Sequence, residues 1–476
     1  YTQDIYSMFE KKTKIICTIS DRRCDVKFLT KLFESGMNIV RINSAHATIE
    51  GAQKIVDNVR EVSDKIGILV DTKGPEVRLT AMEDDSVDFV AKQGDWIEIH
   101  NGPDKLCRYP VLYTSYANFV SDVPVGSHVL IDDGAVDLFI TGKDNDKLLC
   151  EVQNDGIIKG KKSVNVPNVH IALPALTEKD RKFVKWAIDA DLDFIAHSFV
   201  RGKEDLIEVQ SLLDSYGSHI KIISKIENQQ GIDNLDDILS HTYAVMVARG
   251  DLGVEIPAER IPLIQKHIIQ RCRARKKPVI IATQMLHTMI ENPRPTRAEV
   301  TDVANAIFQS TDAIMLSGET ASGKYPVEAV ATMTKIAKEA EKSISISLDL
   351  DLEMVSKPIA AVLAKELVAA TRDLPVKAII FDTWTGRTGR YLSEFRPKVP
   401  IYAMCYNDYT MRELALAYDI YCYKFPIQKS KEAFVRNAIQ MLLDNGRIAS
   451  GDLVAFIGGS FNDELGATYL EFKYVQ

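Results

Sequence analysis

The sequence predicts a (β/α)8 TIM barrel that is interrupted by an inserted all-β domain and followed by a C-terminal α/β domain. Eight short apolar runs, each followed by a stretch with helical spacing, lie between residues 13 and 345. After the third run, residues 76–163 instead show alternating runs and turn residues. The alternative is an open, doubly wound sheet. Eight consecutive units with polar residues at the strand ends favour the barrel.

Boundaries follow from these changes of pattern. We predict the following units: an N-terminal segment 1–12, barrel residues 13–74, an inserted β-barrel domain 75–163, barrel residues 164–345 and a C-terminal α/β domain 346–476. Barrel strands are predicted at 13–19, 38–43, 67–72, 193–199, 220–226, 244–248, 278–283 and 313–318. Helix starts are indicated by Thr177 and Thr296, as Ncap residues, and by Pro326.

Composition indicates a globular chain in a reducing compartment. The 476 residues are 46% hydrophobic and carry a net charge of −8, so no general affinity for nucleic acid is expected. The seven cysteines are scattered without a C-x-x-C pair, which is typical of reduced thiols. No apolar run is long enough to span a membrane, and residues 1–12 lack a signal-peptide core, so a cytoplasmic protein is expected.

Charged residues stand where two apolar runs end. Lys225 and Glu227 follow one run, and Asp251 follows the next after Arg249-Gly250. Unpaired charges at the ends of buried strands are costly, so a structural ion pair or a binding site is required. The same pattern recurs around the predicted barrel, which favours catalysis. The polar residues at strand ends are Arg41, Asn43, Asp71, Thr72, Ser198, Lys225, Glu227, Asp251, Thr283, Ser317 and Glu319.

Their chemistry suggests a metal and an anion. Glu227 and Asp251 offer the hard oxygen ligands that Mg²⁺ or Mn²⁺ prefers. Lys225 and Arg41 could hold a phosphate. The backbone N–H groups of Gly250 and Asp251 could bind a carboxylate if a short helix opens there.

Long motifs resemble those of the pyruvate kinase family, in order and over essentially the whole chain. They are Asp71-Thr-Lys-Gly-Pro-Glu76, Ile223-Ser-Lys-Ile-Glu-Asn228, Met246-Val-Ala-Arg-Gly-Asp-Leu-Gly-Val-Glu-Ile-Pro257, Ala282-Thr-Gln-Met-Leu286, Asn292-Pro-Arg-Pro-Thr-Arg-Ala-Glu299 and Met315-Leu-Ser-Gly-Glu-Thr320. The resemblance implies transfer of the phosphoryl group of phosphoenolpyruvate to ADP, which gives pyruvate and ATP. It also implies a homotetramer, and an inserted domain that closes as a lid and excludes water.

The resemblance also implies roles for individual residues. Lys225, Thr283 and Arg41 would be catalytic, and substrate would contact these three together with Gly250 and Asp251. Glu227 and Asp251 would bind Mg²⁺ or Mn²⁺. The expected K⁺ ligands are Asn43, Asp71 and Thr72, and the expected nucleotide contacts are Asn43, His46, Arg78 and Lys162. Glu76 matches family members that require K⁺.

Some positions depart from the family pattern. Ser20-Asp21 replaces Gly-Pro, His197 stands where a small residue or Pro is usual, and Ser163 and Asn168 replace glycines. The loop after the second strand reads Asn43-Ser-Ala-His-Ala47, so the serine expected near K⁺ is Ala45. Either water or Ser44 would have to supply the missing oxygen.

A hydroxyl-rich turn in the C-terminal domain resembles the family's loop for a sugar-phosphate effector. Its candidate residues are Thr383, Thr385, Gly386, Arg387 and Thr388. A helix cap without a ligand is an equal alternative. For the whole chain, the alternatives are another Mg²⁺-dependent barrel acting on pyruvate enolate, such as an aldolase, and a non-catalytic metabolite sensor.

Overall fold

The eight predicted barrel strands form one closed parallel sheet. In this computed structural model, which describes residues 11–84, 86, 89–459 and 466–476, each strand pairs with the next along the chain and the eighth pairs with the first. The strands are Lys14–Thr18, Ile39–Asn43, Gly67–Asp71, Phe194–His197, Lys221–Ile226, Ala244–Ala248, Val279–Ala282 and Ala313–Leu316. The predicted TIM barrel is confirmed, and the doubly wound alternative is wrong. Of the N-terminal segment 1–12, only Lys11 and Lys12 lie within the described residues.

Helices surround the barrel because alternate side chains of each strand face inward and outward. Inward residues such as Ile16, Ile39 and Leu69 pack together in the interior. The outer helices are Val26–Ser35, Ile49–Val62, Glu178–Asp189, Lys203–Ser215, Leu235–His241, Ile261–Ala274, Arg297–Phe308 and Pro326–Glu341. Thr177 and Thr296 are Ncap residues, as predicted, and each forms a capping box.

The insertion forms an open six-stranded sheet and a two-stranded ribbon, not one closed barrel. Its strands are Phe89–Ala91, Trp96–Asn101, Val111–Thr114, His128–Ile131, Val136–Lys143, Lys147–Val152, Gly156–Ile158 and Val164–Asn165. Val164 and Val166 belong to its hydrophobic core, so that core continues past residue 163.

The C-terminal domain is a five-stranded sheet flanked by helices. Its strands are Val376–Thr383, Ile401–Cys405, Ile420–Lys424, Leu453–Gly458 and Tyr469–Tyr474, the last of them antiparallel. Its longer helices are Pro358–Asp373, Arg387–Glu394 and Lys431–Asp444. No helix within the described part of the chain is long and apolar enough to cross a membrane.

This domain closes the amino-terminal end of the barrel. Leu416 is fully buried among the first inward residues of the barrel strands, including Phe194 and Ala313. Arg412 Nε donates to Asp193, just before the fourth strand, at 2.5 Å. The opposite, carboxyl-terminal end of the barrel therefore remains available for a site.

We expect Leu416→Ala to destabilise the protein, because it leaves a cavity at this closure. Replacing a buried leucine by alanine typically costs about 2–5 kcal/mol. The thermal midpoint should fall, whereas Leu263→Ala, at a side chain that is 72% exposed, should leave it nearly unchanged. Equal midpoints for the two variants would contradict the packing role of Leu416.

Candidate active site

Strand geometry brings the predicted polar residues to the carboxyl-terminal end of the barrel. Asn43 lies opposite Asp71 in the register of the second and third strands. Lys225 is two residues beyond the inward-facing Ile223, so its side chain also points into the barrel. Arg41 is likewise two residues beyond the inward-facing Ile39, so its side chain lies on the same face. The side chains therefore meet because they share the inward face at the same end of neighbouring strands.

A buried ion cluster lies at the centre of the site. Lys225 Nζ is 2.9 Å from Glu227 Oε1 and 3.3 Å from Asp71 Oδ2. Arg41 Nη2 is 2.5 Å from the same Asp71 oxygen. All four residues are buried. Asp71 thus joins the two cations that chemistry assigns to phosphate binding.

The cluster holds its cations charged. Burial by itself lowers the pKa of Lys225, but Glu227 and Asp71 more than reverse this and raise it above its usual value. Burial opposes ionisation of Asp71, yet Arg41 and Lys225 lower its pKa. Burial raises the pKa of Glu227 to about 7 although Lys225 acts in the opposite direction, and Asp251 raises it further. Ionisation of Glu227 is thus opposed both by burial and by the neighbouring Asp251, and a cation bound beside the two carboxylates would offset this repulsion.

The donor set fits a divalent cation. Glu227 Oε1 is buried and has Lys225 Nζ as its ion-pair partner at 2.9 Å, while Asp251 is exposed at the mouth. Phe199 N–H donates to the other oxygen, Glu227 Oε2, at 2.7 Å. Among the described residues, no three His, Cys, Asp or Glu side chains form a complete metal site. Two carboxylates with remaining positions for substrate oxygens and water are a usual Mg²⁺ arrangement.

Thr283 and Gly250 form a second contact at the rim. Gly250 N–H donates to Thr283 Oγ1 at 2.7 Å. The short helix that carboxylate binding by these amides would require is present as Arg249–Glu255. Arg249 holds the other side of this turn by donating to the carbonyl of Thr283 at 2.8 Å. Thr283 itself has a positive φ of 68°, which is uncommon for a β-branched residue and is frequent at functional sites.

The loop after the second strand places Ser44 inside and Ala45 outside. Ser44 is fully buried, and its hydroxyl has no hydrogen-bond partner among the described residues. Asp71 Oδ1 is also buried and without such a partner. Asn43 Oδ1 accepts from Ala45 N–H at 3.1 Å. Ser44 directly follows the second strand and Asp71 ends the neighbouring third strand. Their two unsatisfied oxygens are the type of donor that a monovalent-cation site uses.

Thr72 belongs to a compact hydrogen-bond group behind the ion cluster. Ser198 N–H donates to Thr72 Oγ1 at 2.9 Å, and Ser198 Oγ donates to the Thr72 carbonyl at 2.6 Å. Lys225 Nζ in turn donates to Ser198 Oγ at 3.0 Å. His197 Nδ1 lies 3.2 Å from Thr72 Oγ1. Burial lowers the pKa of His197 to about 4, so its ring is neutral at neutral pH.

Two residues of the site are not among those predicted. Thr18 ends the first strand, and its hydroxyl accepts from Arg41 at 3.0 Å. Its position two residues after the inward-facing Ile16 could have revealed it. The Phe199 amide, which no side-chain pattern marks, also escapes prediction.

Ser317 Oγ has no hydrogen-bond partner among the described residues. Glu319 instead accepts from the amides of Ser317 and Leu286 and supports the turn.

The expected nucleotide contacts fall into two groups. His46 is exposed beside the barrel rim. Arg78 and Lys162 lie together in the insertion, where Leu79 N–H donates to the Lys162 carbonyl. Each pairs with a local carboxylate: Arg78 with Glu76 at 2.7 Å and Lys162 with Asp132 at 3.0 Å. No described contact joins His46 to them.

A cleft of about 420 Å³ separates the insertion from the barrel rim. The insertion side includes Glu76 and Asp133, and the barrel side includes Asp251 and Glu255. Burial raises the pKa of Glu255 to about 7. The metal-binding candidate Asp251 therefore opens directly onto the space between the two domains.

The hydroxyl-rich turn of the C-terminal domain is self-capped. Thr383 Oγ1 accepts from the amides of Thr385, at 3.2 Å, and Gly386, at 2.7 Å. Arg387 begins the following helix, which continues through Thr388. Two of the amides that could have met a phosphate are thus already used, and the effector site stays a prediction.

Comparison with known proteins identifies relatives over nearly the whole chain. Residues 10–330 match the family model "Pyruvate kinase, barrel domain", and residues 361–469 match "Pyruvate kinase, alpha/beta domain". The pyruvate kinase of Borreliella burgdorferi is 46% identical over 474 residues, which cover 98% of each chain. The pyruvate kinase of Bacillus licheniformis is 44% identical, and the match covers 98% of this chain and 80% of that protein. A crystal structure of a pyruvate kinase from Cryptosporidium parvum superposes with a TM-score of 0.94, at 34% identity, and the match covers 99% of this chain and 97% of that one.

Proposed function

The chain belongs to the pyruvate kinase family and shares its glycolytic activity, and we propose that the ion cluster at the barrel rim carries out this reaction. The reaction transfers the phosphoryl group of phosphoenolpyruvate to ADP and yields pyruvate and ATP. The observation that supports this assignment most is Lys225, held charged between Asp71 and Glu227 at the ends of the barrel strands. The aldolase and sensor alternatives lose their support, because relatives over the whole chain are pyruvate kinases.

Lys225 and Arg41 provide positive charge where phosphoryl transfer develops negative charge. In such reactions most of the catalysis is positioning and electrostatic stabilisation. Lys225 would stabilise the transferred group and the enolate oxygen, and Arg41 would contact the phosphate. Both side chains are already oriented by Asp71, so little rearrangement is needed at the moment of reaction.

The substrate carboxylate would bind at Gly250, Asp251 and Thr283. The Gly250 amide now donates to the Thr283 hydroxyl, which itself donates to the carbonyl of Ala282. Both groups would turn to the carboxylate when substrate arrives. Glu227 and Asp251 would hold Mg²⁺ or Mn²⁺, which supplies Lewis-acid stabilisation of phosphoryl and enolate oxygens when bound.

ADP would bind between the rim and the insertion. Its phosphates would meet Asn43 and His46 from the barrel and Arg78 and Lys162 from the insertion. For this, phosphate must replace Glu76 and Asp132 as the partners of the two basic side chains. Closure of the insertion over the cleft would exclude water, which otherwise competes with ADP for the phosphoryl group.

A coupled assay tests the proposal. Pyruvate formed from phosphoenolpyruvate, ADP, Mg²⁺ and K⁺ is reduced by lactate dehydrogenase, and loss of NADH is followed. We expect turnover that requires both substrates and the divalent ion. An absence of ADP-dependent pyruvate formation by the folded protein would contradict the proposed function.

We predict a K⁺ requirement in which Ser44, not residue 45, supplies a ligand beside Asn43, Asp71 and Thr72. Ser44→Ala should raise the K⁺ concentration for half-maximal activity about fivefold, since losing one neutral oxygen costs about 1 kcal/mol. Activity is measured against K⁺ at constant ionic strength, with tetramethylammonium as the balancing cation.

Ala45→Ser is the matched control, because residue 45 is exposed and its side chain lies outside the buried pair of oxygens. It should leave the K⁺ dependence unchanged. A lower K⁺ requirement in Ala45→Ser, with no change in Ser44→Ala, would show that the K⁺ ligand belongs at residue 45 and not at Ser44. Full activity of the unmodified protein without a monovalent cation would remove the site altogether.

Three further proposals rest on the family resemblance. They are a homotetramer, a cytoplasmic location and a sugar-phosphate effector at Thr383, Thr385, Gly386, Arg387 and Thr388. Light scattering tests the assembly. Calorimetric titration with sugar mono- and bisphosphates, repeated with Arg387→Ala, tests the effector site.

A further inference from the structure

His197 stands directly behind the proposed active site without facing it. It ends the fourth barrel strand and is 1% exposed. Ala196, its neighbour, faces the barrel interior, so the imidazole points to the opposite side. A buried polar ring in this position needs a hydrogen-bond partner, and its Nδ1 lies 3.2 Å from Thr72 Oγ1.

The hydrogen bonds around Thr72 assign a direction to this contact. Ser198 N–H can only donate, and it donates to Thr72 Oγ1. The single hydroxyl hydrogen of Thr72 then has His197 Nδ1 as its acceptor. The ring accordingly carries its proton on Nε2. In that arrangement the Thr72 hydroxyl accepts from the Ser198 amide and donates to His197 Nδ1.

The contact continues to the catalytic lysine. Thr72 accepts two hydrogen bonds from Ser198. The Ser198 amide donates to the Thr72 hydroxyl, and Ser198 Oγ donates to the Thr72 carbonyl. Ser198 Oγ also accepts from Lys225 Nζ at 3.0 Å. The orientation of the Thr72 hydroxyl therefore affects the same serine that orients Lys225, and Thr72 is itself an expected K⁺ ligand.

We propose that His197 is a positioning residue whose Nδ1 holds Thr72 and, through Ser198, sets both the monovalent-cation site and Lys225. This inference rests on the proposed function of the site. It assigns a role to the acceptor atom and not to the volume of the ring. Outer hydrogen-bond partners of this kind typically change metal affinity or activity by about 10–100-fold.

The test compares three substitutions that separate the acceptor from the volume. His197→Asn can place Oδ1 near the position of Nδ1 and keeps the acceptor. His197→Gln places its amide farther out, and His197→Leu has no acceptor. We expect Leu and Gln variants to need about tenfold more K⁺ and to have a lower kcat, whereas the Asn variant should approach the unmodified protein.

A readout without turnover accompanies the kinetics. The thermal midpoint is measured against K⁺ at constant ionic strength, without substrates, because a bound ion stabilises the folded state. The midpoint of the unmodified protein should rise with K⁺, and this response should shift to higher K⁺ in the Leu and Gln variants. His219→Leu, at the amino-terminal end of the barrel beside Asp191, is the control that should change neither readout.

The outcomes separate this inference from the proposed function. If the unmodified protein is active and responds to K⁺, while all His197 variants behave as it does, the inference is wrong and the function stands. Equal impairment of the Asn and Gln variants also overturns it, because volume alone then matters. If the Leu variant does not fold, the comparison of Asn with Gln still decides. An unmodified protein that forms no ATP overturns the proposed function itself.

Discussion

Lys225→Met should reduce kcat by about 10²–10³-fold or more, the loss seen when one preorganised transition-state donor is removed. Lys225 is buried between Asp71 and Glu227 and is kept charged by them. Methionine fills similar volume but has no charge, and Arg41 remains as the partner of Asp71. The effect should therefore fall on turnover more than on binding of phosphoenolpyruvate. Steady-state kinetics with the coupled assay measures both.

Lys221→Met provides the matched control. Lys221 begins the same strand at the opposite end of the barrel, 3.6 Å from Glu413 of the C-terminal domain. Its loss should leave kcat within a few-fold of the original. Circular dichroism and the thermal midpoint check that both variants fold. A folded Lys225→Met protein with near-normal kcat would exclude this lysine from the mechanism.

Glu227→Gln and Asp251→Asn should each weaken binding of Mn²⁺ or Mg²⁺. Each substitution replaces an anionic oxygen ligand by a neutral one. We expect the affinity for the metal to fall at least about tenfold, because removing even a hydrogen-bond partner of a metal ligand typically has an effect of that size. Water-proton relaxation of Mn²⁺ in the absence of substrates measures the affinity directly, independently of turnover.

Glu255→Gln is the control for these carboxylates. Glu255 lines the same cleft, and burial raises its pKa as it does that of Glu227. It ends the short helix Arg249–Glu255 and lies away from the ion cluster. Its substitution should leave Mn²⁺ affinity unchanged. If Glu227→Gln and Asp251→Asn bind Mn²⁺ normally while Glu255→Gln does not, the metal site lies deeper in the cleft.

Sequence patterns alone were sufficient to predict the barrel, the insertion and the strand ends at which polar residues meet. Strands predicted at residues 38–43 and 244–248 are observed as Ile39–Asn43 and Ala244–Ala248. These predictions succeed because strand and helix periodicity is local, and because parallel strands of a barrel bring their carboxyl ends to one rim. Arg41, Asp71, Lys225 and Glu227 could therefore be grouped before any contact was known.

The neighbours of those residues could not be predicted and became known from the three-dimensional contacts. The sequence offered Ser44 and water as replacements for the missing serine, and only the structure shows that Ser44 is buried whereas Ala45 is exposed. It could not show that Leu416, more than a hundred residues beyond the fourth strand, closes the barrel. Nor could it reveal that His197 reaches Thr72. Such contacts join residues that are distant in the chain, and their geometry depends on packing between elements, which periodicity does not encode.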